Sequence, residues 1–205
     1  DYWRDAFDHT SHDSCWHGCS MACAHKVNDF VLKSGPYKGQ KVMVDGPEYE
    51  TIGGMGSNIG VFNPEALLEF NFYCDTYGLD TISMGSSIAF ALECYEVGIL
   101  DQQVTGGLDL TWGNSDAVLE ILHQIARGSG FGMLVGRGIR EMKRIFAEQL
   151  HADPQFLQDI GMEIKGLEIS EYMPKESLAQ QGGFALANKG PQHDEAWLIF
   201  MDMVN

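Results

Sequence analysis

Three successive segments of the chain each carry the start signal, the apolar spacing and the stop signal of an α-helix. Asn63-Pro64-Glu65 offers a capping side chain, a proline at the first helical position and an acid in the first turn. Apolar side chains then recur at helical spacing until Gly78. The same pattern predicts a second helix over about residues 80–97 and a third over 114–128. These three segments favour a mainly α fold.

The remaining chain adds more helices than strands. Further helices are predicted over residues 134–150, 153–160, 179–187 and 195–204, and strands only over 41–44 and 163–167. Small side chains in the second helix, at Gly85, Ser86, Ser87 and Ala89, permit the close approach of another element.

We divide the chain into a segment 1–62, which holds a cysteine cluster and a glutamate-containing loop, and a helical domain 63–205. A chain of 205 residues is long enough for one domain or for two small ones, and we expect one compact unit. The chain does not begin with Met and stops directly after an apolar helical run, so we expect it to be a fragment of a longer chain.

Charge and composition exclude some classes of function. Thirteen Lys and Arg against 29 Asp and Glu give a net charge of −16, which repels phosphate backbones and disfavours nucleic-acid binding. The longest weakly polar stretch is interrupted by small polar residues before it reaches the length of about 18 residues that a membrane span needs. The clustered cysteines are unlike a secreted disulfide framework. We therefore expect a cytoplasmic protein in a reducing compartment.

Three of the five cysteines lie within nine residues. Cys15, Cys19 and Cys23 are spaced C-x3-C-x3-C, and thiolates that converge in this way bind zinc or an iron–sulfur cluster. Zinc could take a nearby histidine as its fourth ligand, whereas a cluster prefers a fourth cysteine, from Cys74, Cys94 or a segment beyond this chain. Three buried thiols that only fill space are the alternative without a metal. The spacing indicates metal but leaves its identity open.

The candidates for acid–base chemistry are Glu48, Glu50 and His193. If residues 48–50 form an extended loop, Glu48 and Glu50 point to the same side and Tyr49 to the other. A carboxyl beside a buried reaction centre can have a raised pKa and serve in proton transfer. Two solvated glutamates and a structural histidine are the alternative interpretation of the same residues.

Several blocks, taken together with the cysteines, resemble a known family. They are GPEYETIGGMGSNIG at 46–60, FYCDTYGLDTISMGSSIAFALECYEVGIL at 72–100, LTWGN at 110–114, RGSGFG at 127–132, KGLE at 165–168 and GPQH at 190–193. In this order they resemble the tungsten-dependent aldehyde:ferredoxin oxidoreductase family over nearly the whole chain.

The resemblance implies cofactors and residue roles. Members of this family hold tungsten between two pterin dithiolenes, the molybdopterin type of cofactor, next to one [4Fe–4S] cluster. The resemblance makes Cys15, Cys19 and Cys23 three of the cluster ligands and places the fourth in a segment that this chain does not contain. It makes Asp75-Thr76-Tyr77-Gly78-Leu79-Asp80 a pterin-contacting turn, with Asp75, Gly78, Leu79 and Asp80 as its binding residues. It places Tyr49-Glu50 and His193 near the tungsten, with Glu48 as the second carboxylate.

Three departures from the aldehyde-oxidising members point to another branch. The first two cysteines are separated by three residues rather than two, the segment from Cys23 to Gly46 is long, and Lys189-Gly190 stands where Arg-Gly is usual. These features resemble the active-site subunit of class II benzoyl-CoA reductases, which reduce the aromatic ring in anaerobes without ATP. We therefore expect dearomatising reduction of benzoyl-CoA, with electrons from iron–sulfur or flavin subunits or a ferredoxin, in an oligomer. Aldehyde oxidation and a zinc-binding domain without catalysis are the alternatives.

Overall fold

The computed structural model describes residues 2–8, 18, 25–172, 175–193 and 198, and helices dominate this part of the chain. The helices are α1 (Tyr2–Ala6), α2 (Tyr49–Gly54), α3 (Pro64–Tyr77), α4 (Thr81–Glu96), α5 (Ser115–Arg127), α6 (Gly132–Val135), α7 (Ile139–Gln149), α8 (Pro154–Ile160) and α9 (Leu178–Leu186). The strands are β1 (Lys26–Val31), β2 (Lys41–Asp45), β3 (Glu163–Ile164) and β4 (Leu167–Glu168), and they form two separate antiparallel pairs, β1 with β2 and β3 with β4. The predicted mainly α fold is confirmed.

Helix α3 begins and ends where its sequence signals predict. The side chain of Asn63 accepts a hydrogen bond from the backbone N–H of Glu65 at 3.0 Å, which satisfies a donor that the first turn would otherwise leave unpaired. Gly78 ends the helix in the left-handed conformation, with φ of 69°. Between them, Leu68, Phe70 and Tyr73 are fully buried in the core.

The predicted close approach at the small residues of α4 is confirmed, and the element that approaches is α2. A Cβ atom added to Gly85 would lie 2.5 Å from the carbonyl carbon of Gly54, a distance that real side chains do not tolerate. The two helices can therefore cross at this separation only because position 85 is glycine. This crossing fixes α2 and its side chains against the core.

Two predicted elements are wrong in their continuity. The single helix over 134–150 is broken into α6 and α7, because Gly136 and Gly138 separate them and Gly138 has φ of 81°. The single strand over 163–167 is instead the hairpin of β3 and β4, which turns at Lys165-Gly166, both with positive φ. Strand β1, the partner of the predicted strand at 41–44, was not expected from the sequence.

The helix predicted over residues 195–204 lies almost wholly outside the described residues. The division into segments 1–62 and 63–205 stays a prediction. Within the described residues, no helix has both the length and the apolar character that crossing a membrane requires.

Candidate active site on helix α2

The segment predicted as an extended loop is the start of helix α2. Glu48 precedes the helix with extended backbone angles, and its carbonyl already accepts a hydrogen bond from the N–H of Ile52 at 2.9 Å. Residues two apart on a helix project to different sides, so Glu48 and Glu50 do not point the same way. Glu48 is exposed and lines one pocket, whereas Glu50 is buried against a different part of the molecule. The prediction of a shared direction is therefore wrong.

Glu50 is a buried carboxylate with two unlike oxygens. Its Oε2 accepts a hydrogen bond from the backbone N–H of Glu171 at 2.7 Å. Its Oε1 has no hydrogen-bond partner among the described residues, although Nδ1 of His193 lies 3.1 Å away. That distance fits an ion pair between the carboxylate and a protonated imidazole.

His193 is held beside Glu50 by the segment that follows β4. The backbone N–H of Ser170 donates to the carbonyl of Pro191 at 3.0 Å, and the backbone N–H of His193 donates to Oγ of Ser170 at 3.3 Å. The same hydroxyl lies 3.4 Å from Nδ1 of His193. The structure thus brings together the two residues predicted to share the acid–base chemistry, Glu50 and His193.

Tyr49 is exposed, but its hydroxyl is fixed. It donates a hydrogen bond to the backbone carbonyl of Glu171 at 2.8 Å, and its ring lies 5.5 Å from the ring of Tyr172. The ring of Tyr172 lies a further 5.5 Å from the imidazole of His193. Tyr49 therefore helps to tie helix α2 to the segment that carries His193.

Glu171 belongs to this site and was not found from the sequence. Burial, and then the nearby charge of Glu50, raise the pKa of the Glu171 carboxyl to about 7, against a weaker opposing effect of Ser86. The residue lies three positions after the quoted block 165–168, but no local pattern shows that it meets Glu50, 121 positions earlier in the chain. A second Glu-Tyr pair, at 171–172, is the single signal that could have drawn attention to it.

An open cavity of about 250 Å³ lies beside Glu171. Its wall is mixed, with apolar side chains from α4 and α8 and polar groups from the segment after β4. Its lining residues include Ser86, Glu93, Ser170, Glu171 and Tyr172.

A second pocket, of about 270 Å³, lies beside the start of α2 and is strongly acidic. Four carboxylates line it, from Asp45, Glu48, Asp75 and Asp80. None of the described residues that line it is a lysine, arginine or histidine, so its charge has no cationic partner in the pocket wall. We call this the acidic pocket. A pocket of this kind suits a ligand with several N–H donors.

The predicted pterin-contacting residues lie at the acidic pocket. Asp75, in the last turn of α3, Leu79 and Asp80 line it, and Gly78 forms the left-handed end of α3 between them. One oxygen of Asp80 accepts from the backbone N–H of Ser83 at 2.8 Å, so this residue also caps helix α4.

The pKa of the Asp75 carboxyl is raised although the side chain is exposed. Partial burial, followed by the charges of Asp45 and Glu48, raises its pKa to about 6, while a hydrogen bond from Asn71 acts in the opposite direction. The carboxyl remains accessible to solvent, which screens these charges in part. The rise reflects crowding of like charges that a donor-rich ligand would relieve.

Two of the five cysteines, Cys74 and Cys94, lie among the described residues. Cys15, Cys19 and Cys23 lie outside the described residues. Cys74 and Cys94 are free, fully buried thiols, and burial raises the pKa of each to about 12. Both therefore behave as small core side chains. Within residues 25–172 and the other described parts, no group of three or more His, Cys, Asp or Glu side chains is arranged to hold a metal ion.

Comparisons with known proteins agree with the sequence blocks. The family described as aldehyde ferredoxin oxidoreductase, domains 2 and 3, matches residues 1–205. A tungsten-containing aldehyde ferredoxin oxidoreductase of Pyrococcus furiosus is 31% identical over 156 residues, 76% of this chain and 24% of that protein. The protein of the same name from Thermococcus kodakarensis is 34% identical over 158 residues, 77% of this chain and 25% of that protein.

A relative with another name also matches. The aliphatic sulfonate oxidoreductase, WOR-like subunit, of Pyrococcus furiosus is 32% identical over 171 residues, 83% of this chain and 22% of that protein. The chain spans about a quarter of the length of the curated relatives it matches. Since the family match extends over the full chain, this protein belongs to the aldehyde ferredoxin oxidoreductase family of oxidoreductases.

Proposed function

We propose that the full-length protein is a tungsten–pterin oxidoreductase that converts aldehydes to carboxylates. The observation that carries this proposal is the buried Glu50–His193 pair, in which one carboxylate oxygen has no hydrogen-bond partner among the described residues. A buried polar atom left without a partner calls for an explanation, and a site that exchanges protons supplies one. Family membership and the names of the relatives favour an aldehyde as the substrate.

The acidic pocket fits the pterin part of such a cofactor. Its carboxylates can accept hydrogen bonds from the amino group and ring N–H groups of a pterin, which would relieve the crowding at Asp75. In this proposal Asp75, Leu79 and Asp80 hold the pterin, with Gly78 shaping the turn between them. When bound, the tungsten–pterin group supplies a two-electron acceptor.

The residues of this chain would handle the protons. Conversion of an aldehyde and water to a carboxylate releases two electrons and three protons. Oε1 of Glu50, which accepts no hydrogen bond from the described residues, can take one of these protons, and Nδ1 of His193 at 3.1 Å can hold a proton next to it. Burial of Glu50 keeps bulk water away from the pair and makes its charge more effective.

Electron transfer would require a second metal centre. In this proposal Cys15, Cys19 and Cys23 are three ligands of a [4Fe–4S] cluster, and the fourth ligand lies in a part of the protein outside this chain. A ferredoxin, or an iron–sulfur or flavin subunit, would receive the electrons in the cytoplasm.

Benzoyl-CoA reduction is the second candidate function. It is favoured by the C-x3-C spacing of Cys15 and Cys19 and by Lys189 where aldehyde-oxidising members have arginine. The same Glu50–His193 pair would then deliver protons to the aromatic ring instead of accepting them. The names of the relatives fit the aldehyde substrate better.

The first test uses the full-length protein purified without oxygen. We expect about one tungsten per chain, iron in the stoichiometry of a four-iron cluster, and reduction of a dye upon addition of an aldehyde. Loss of iron but retention of tungsten in Cys19→Ser would support the cluster assignment. Ring reduction of benzoyl-CoA with a low-potential donor, without aldehyde turnover, would replace the substrate. Zinc as the sole metal would overturn the function.

A further inference from the structure

Glu171 lies between the Glu50–His193 pair and the open cavity. Its backbone N–H binds Oε2 of Glu50 at 2.7 Å, and its backbone carbonyl accepts from the hydroxyl of Tyr49 at 2.8 Å. Its side chain lines the cavity and approaches Oγ of Ser86 at 3.5 Å. The residue is therefore anchored to the site by its main chain while its carboxyl faces the cavity.

Two glycines of α2 make room for this carboxyl. A Cβ atom on Gly54 would lie 2.9 Å from Oε1 of Glu171, and one on Gly53 would lie 3.1 Å from Cβ of Glu171. Any larger residue at Gly54 would displace the carboxyl or the helix. The position of the Glu171 side chain thus depends on Gly54, the residue of α2 that Gly85 of α4 contacts.

We propose that the Glu171 carboxyl transfers protons between the Glu50–His193 pair and the water of the adjacent cavity. This inference rests on the proposed function, which requires that protons released at the pair leave a buried site. Glu171 acts through Glu50, so it is a positioning and proton-transfer residue that does not touch the substrate.

The charged and titratable groups around Glu171 suit its carboxyl to proton transfer. Glu50 faces it from α2, with His193 behind Glu50, and Glu93 faces the same cavity from α4. Tyr49 of α2 and Tyr172 of the segment after β4 flank Glu171. Burial, and then the charge of Glu50, raise its pKa to about 7, where a carboxyl can both accept and release a proton near neutral pH.

The transfer is balanced without an added reactant. A proton leaves Glu50 and forms an O–H bond on the carboxylate of Glu171. Glu171 then gives a proton to a cavity water and returns to the carboxylate form. No electron moves in either step. The first step passes the negative charge from Glu171 to Glu50, and the second restores the charge of Glu171 while a hydronium ion forms in the cavity.

An infrared titration of the full-length enzyme tests the ionisation directly. We expect a protonated-carboxyl band that disappears with a midpoint near pH 7. The band should be absent from Glu171→Gln and retained in Glu93→Gln, the matched carboxyl of the same cavity. Glu50→Gln should lower the midpoint, because it removes a negative charge that raises the pKa. A band that persists in Glu171→Gln, or a midpoint that Glu50→Gln leaves unmoved, would overturn the inference.

Kinetics of the same variants test the transfer. In Glu171→Gln we expect kcat to fall about 10- to 100-fold, at or below the low end of the range for groups that act directly on the substrate, with KM little changed. The pH dependence near 7 should also vanish, whereas Glu93→Gln keeps it. Unchanged kcat in Glu171→Gln rejects the role. If the wild type oxidises no aldehyde, the proposed function fails, and the infrared arm still decides whether Glu171 is a titrating partner of Glu50.

Discussion

Two buried glutamates, Glu50 and Glu69, each lie near a histidine, and they differ in how completely their oxygens are satisfied. Oε1 of Glu69 accepts from the N–H and hydroxyl of Ser34, each at 2.6 Å, and from the N–H of Lys33 at 3.1 Å. The same Ser34 hydroxyl lies 3.2 Å from His123. Oε1 of Glu50 has no such partner among the described residues.

The two histidines differ in the same way. His123 is buried, has one ring nitrogen near Ser34 and the other 2.9 Å from the hydroxyl of Tyr77, and burial lowers its pKa. His193 is partly exposed and its Nδ1 lies close to Glu50. A saturated buried network stabilises one arrangement, whereas an incomplete one can exchange a proton. From this comparison we expect Glu69 to serve stability, and we propose that Glu50 serves the chemistry.

The largest expected effect is that of Glu50→Gln on activity. The amide keeps an acceptor for the N–H of Glu171 but removes the proton acceptor, so we expect kcat to fall about 10²- to 10⁴-fold while the melting temperature changes little. Steady-state rates and thermal unfolding of the full-length protein provide the two measurements. Near-normal turnover in this variant would remove Glu50 from the chemistry.

Glu69→Gln should have the opposite profile. Oε2 of Glu69 also accepts from the N–H of Lys33 at 3.2 Å, and an amide that keeps its oxygen at the Oε1 position places an NH2 donor against that N–H. We expect a loss of about 3 kcal/mol in the free energy of unfolding, with activity per folded molecule retained.

Its control is Glu65→Gln, one turn earlier on α3. Glu65 pairs with Lys33 in an exposed ion pair, and such pairs contribute about 0–1 kcal/mol. Denaturant unfolding of both variants separates a buried network from a surface charge. Equal effects in the two variants would contradict the structural role of Glu69.

Gly85→Ala tests how Glu50 is positioned. The added Cβ would meet the backbone of Gly54 at 2.5 Å, so α2 must shift away from α4, at a cost of about 1–3 kcal/mol for overpacking. Activity should fall as well, because the shift moves Glu50 relative to His193.

Gly182→Ala in α9 is the matched control for the helix crossing. A Cβ there meets no described atom within 4 Å, and alanine should stabilise the helix by about 0.5–1 kcal/mol. Thermal unfolding of the two variants should therefore move in opposite directions. A stabilised Gly85→Ala variant would show that the helices are not in tight contact.

The sequence predicted the helices that carry complete local signals. Asn63-Pro64-Glu65 and Gly78 bound α3, and Asp80 caps α4, because capping depends on residues a few positions apart. The break between α6 and α7 was harder to predict, because glycines within an apolar run, as at Gly136 and Gly138, also occur in continuous helices. Strand β1 has a register shift between Val27 and Phe30, which obscures its alternation.

The candidate site was predictable only in part. The resemblance of residues 46–60 and 190–193 to a known family brought Glu50 and His193 to attention, and the structure places them 3.1 Å apart. Glu171 reaches Glu50 through a contact between parts of the chain 121 residues apart, and no local pattern encodes such a contact. Glu48 and Glu50 point in different directions because Tyr49–Gly54 is a helix, whereas the prediction assumed an extended loop.

The smallest expected effect concerns a third kind of carboxylate, Asp75 of the acidic pocket, which is crowded by like charges. Because its pKa is raised to about 6, its contribution to stability is complete below the pKa of the unfolded chain and is lost as pH rises through 6. With allowance for solvent screening, Asp75→Asn should stabilise the cofactor-free, full-length protein by about 1 kcal/mol at pH 8 and by nothing at pH 3. Thermal unfolding against pH measures this difference, and the exposed Asp159→Asn is its control. A variant that is less stable than the wild type at pH 8 would show that Asp75 serves the fold, as Glu69 does, and not the pocket.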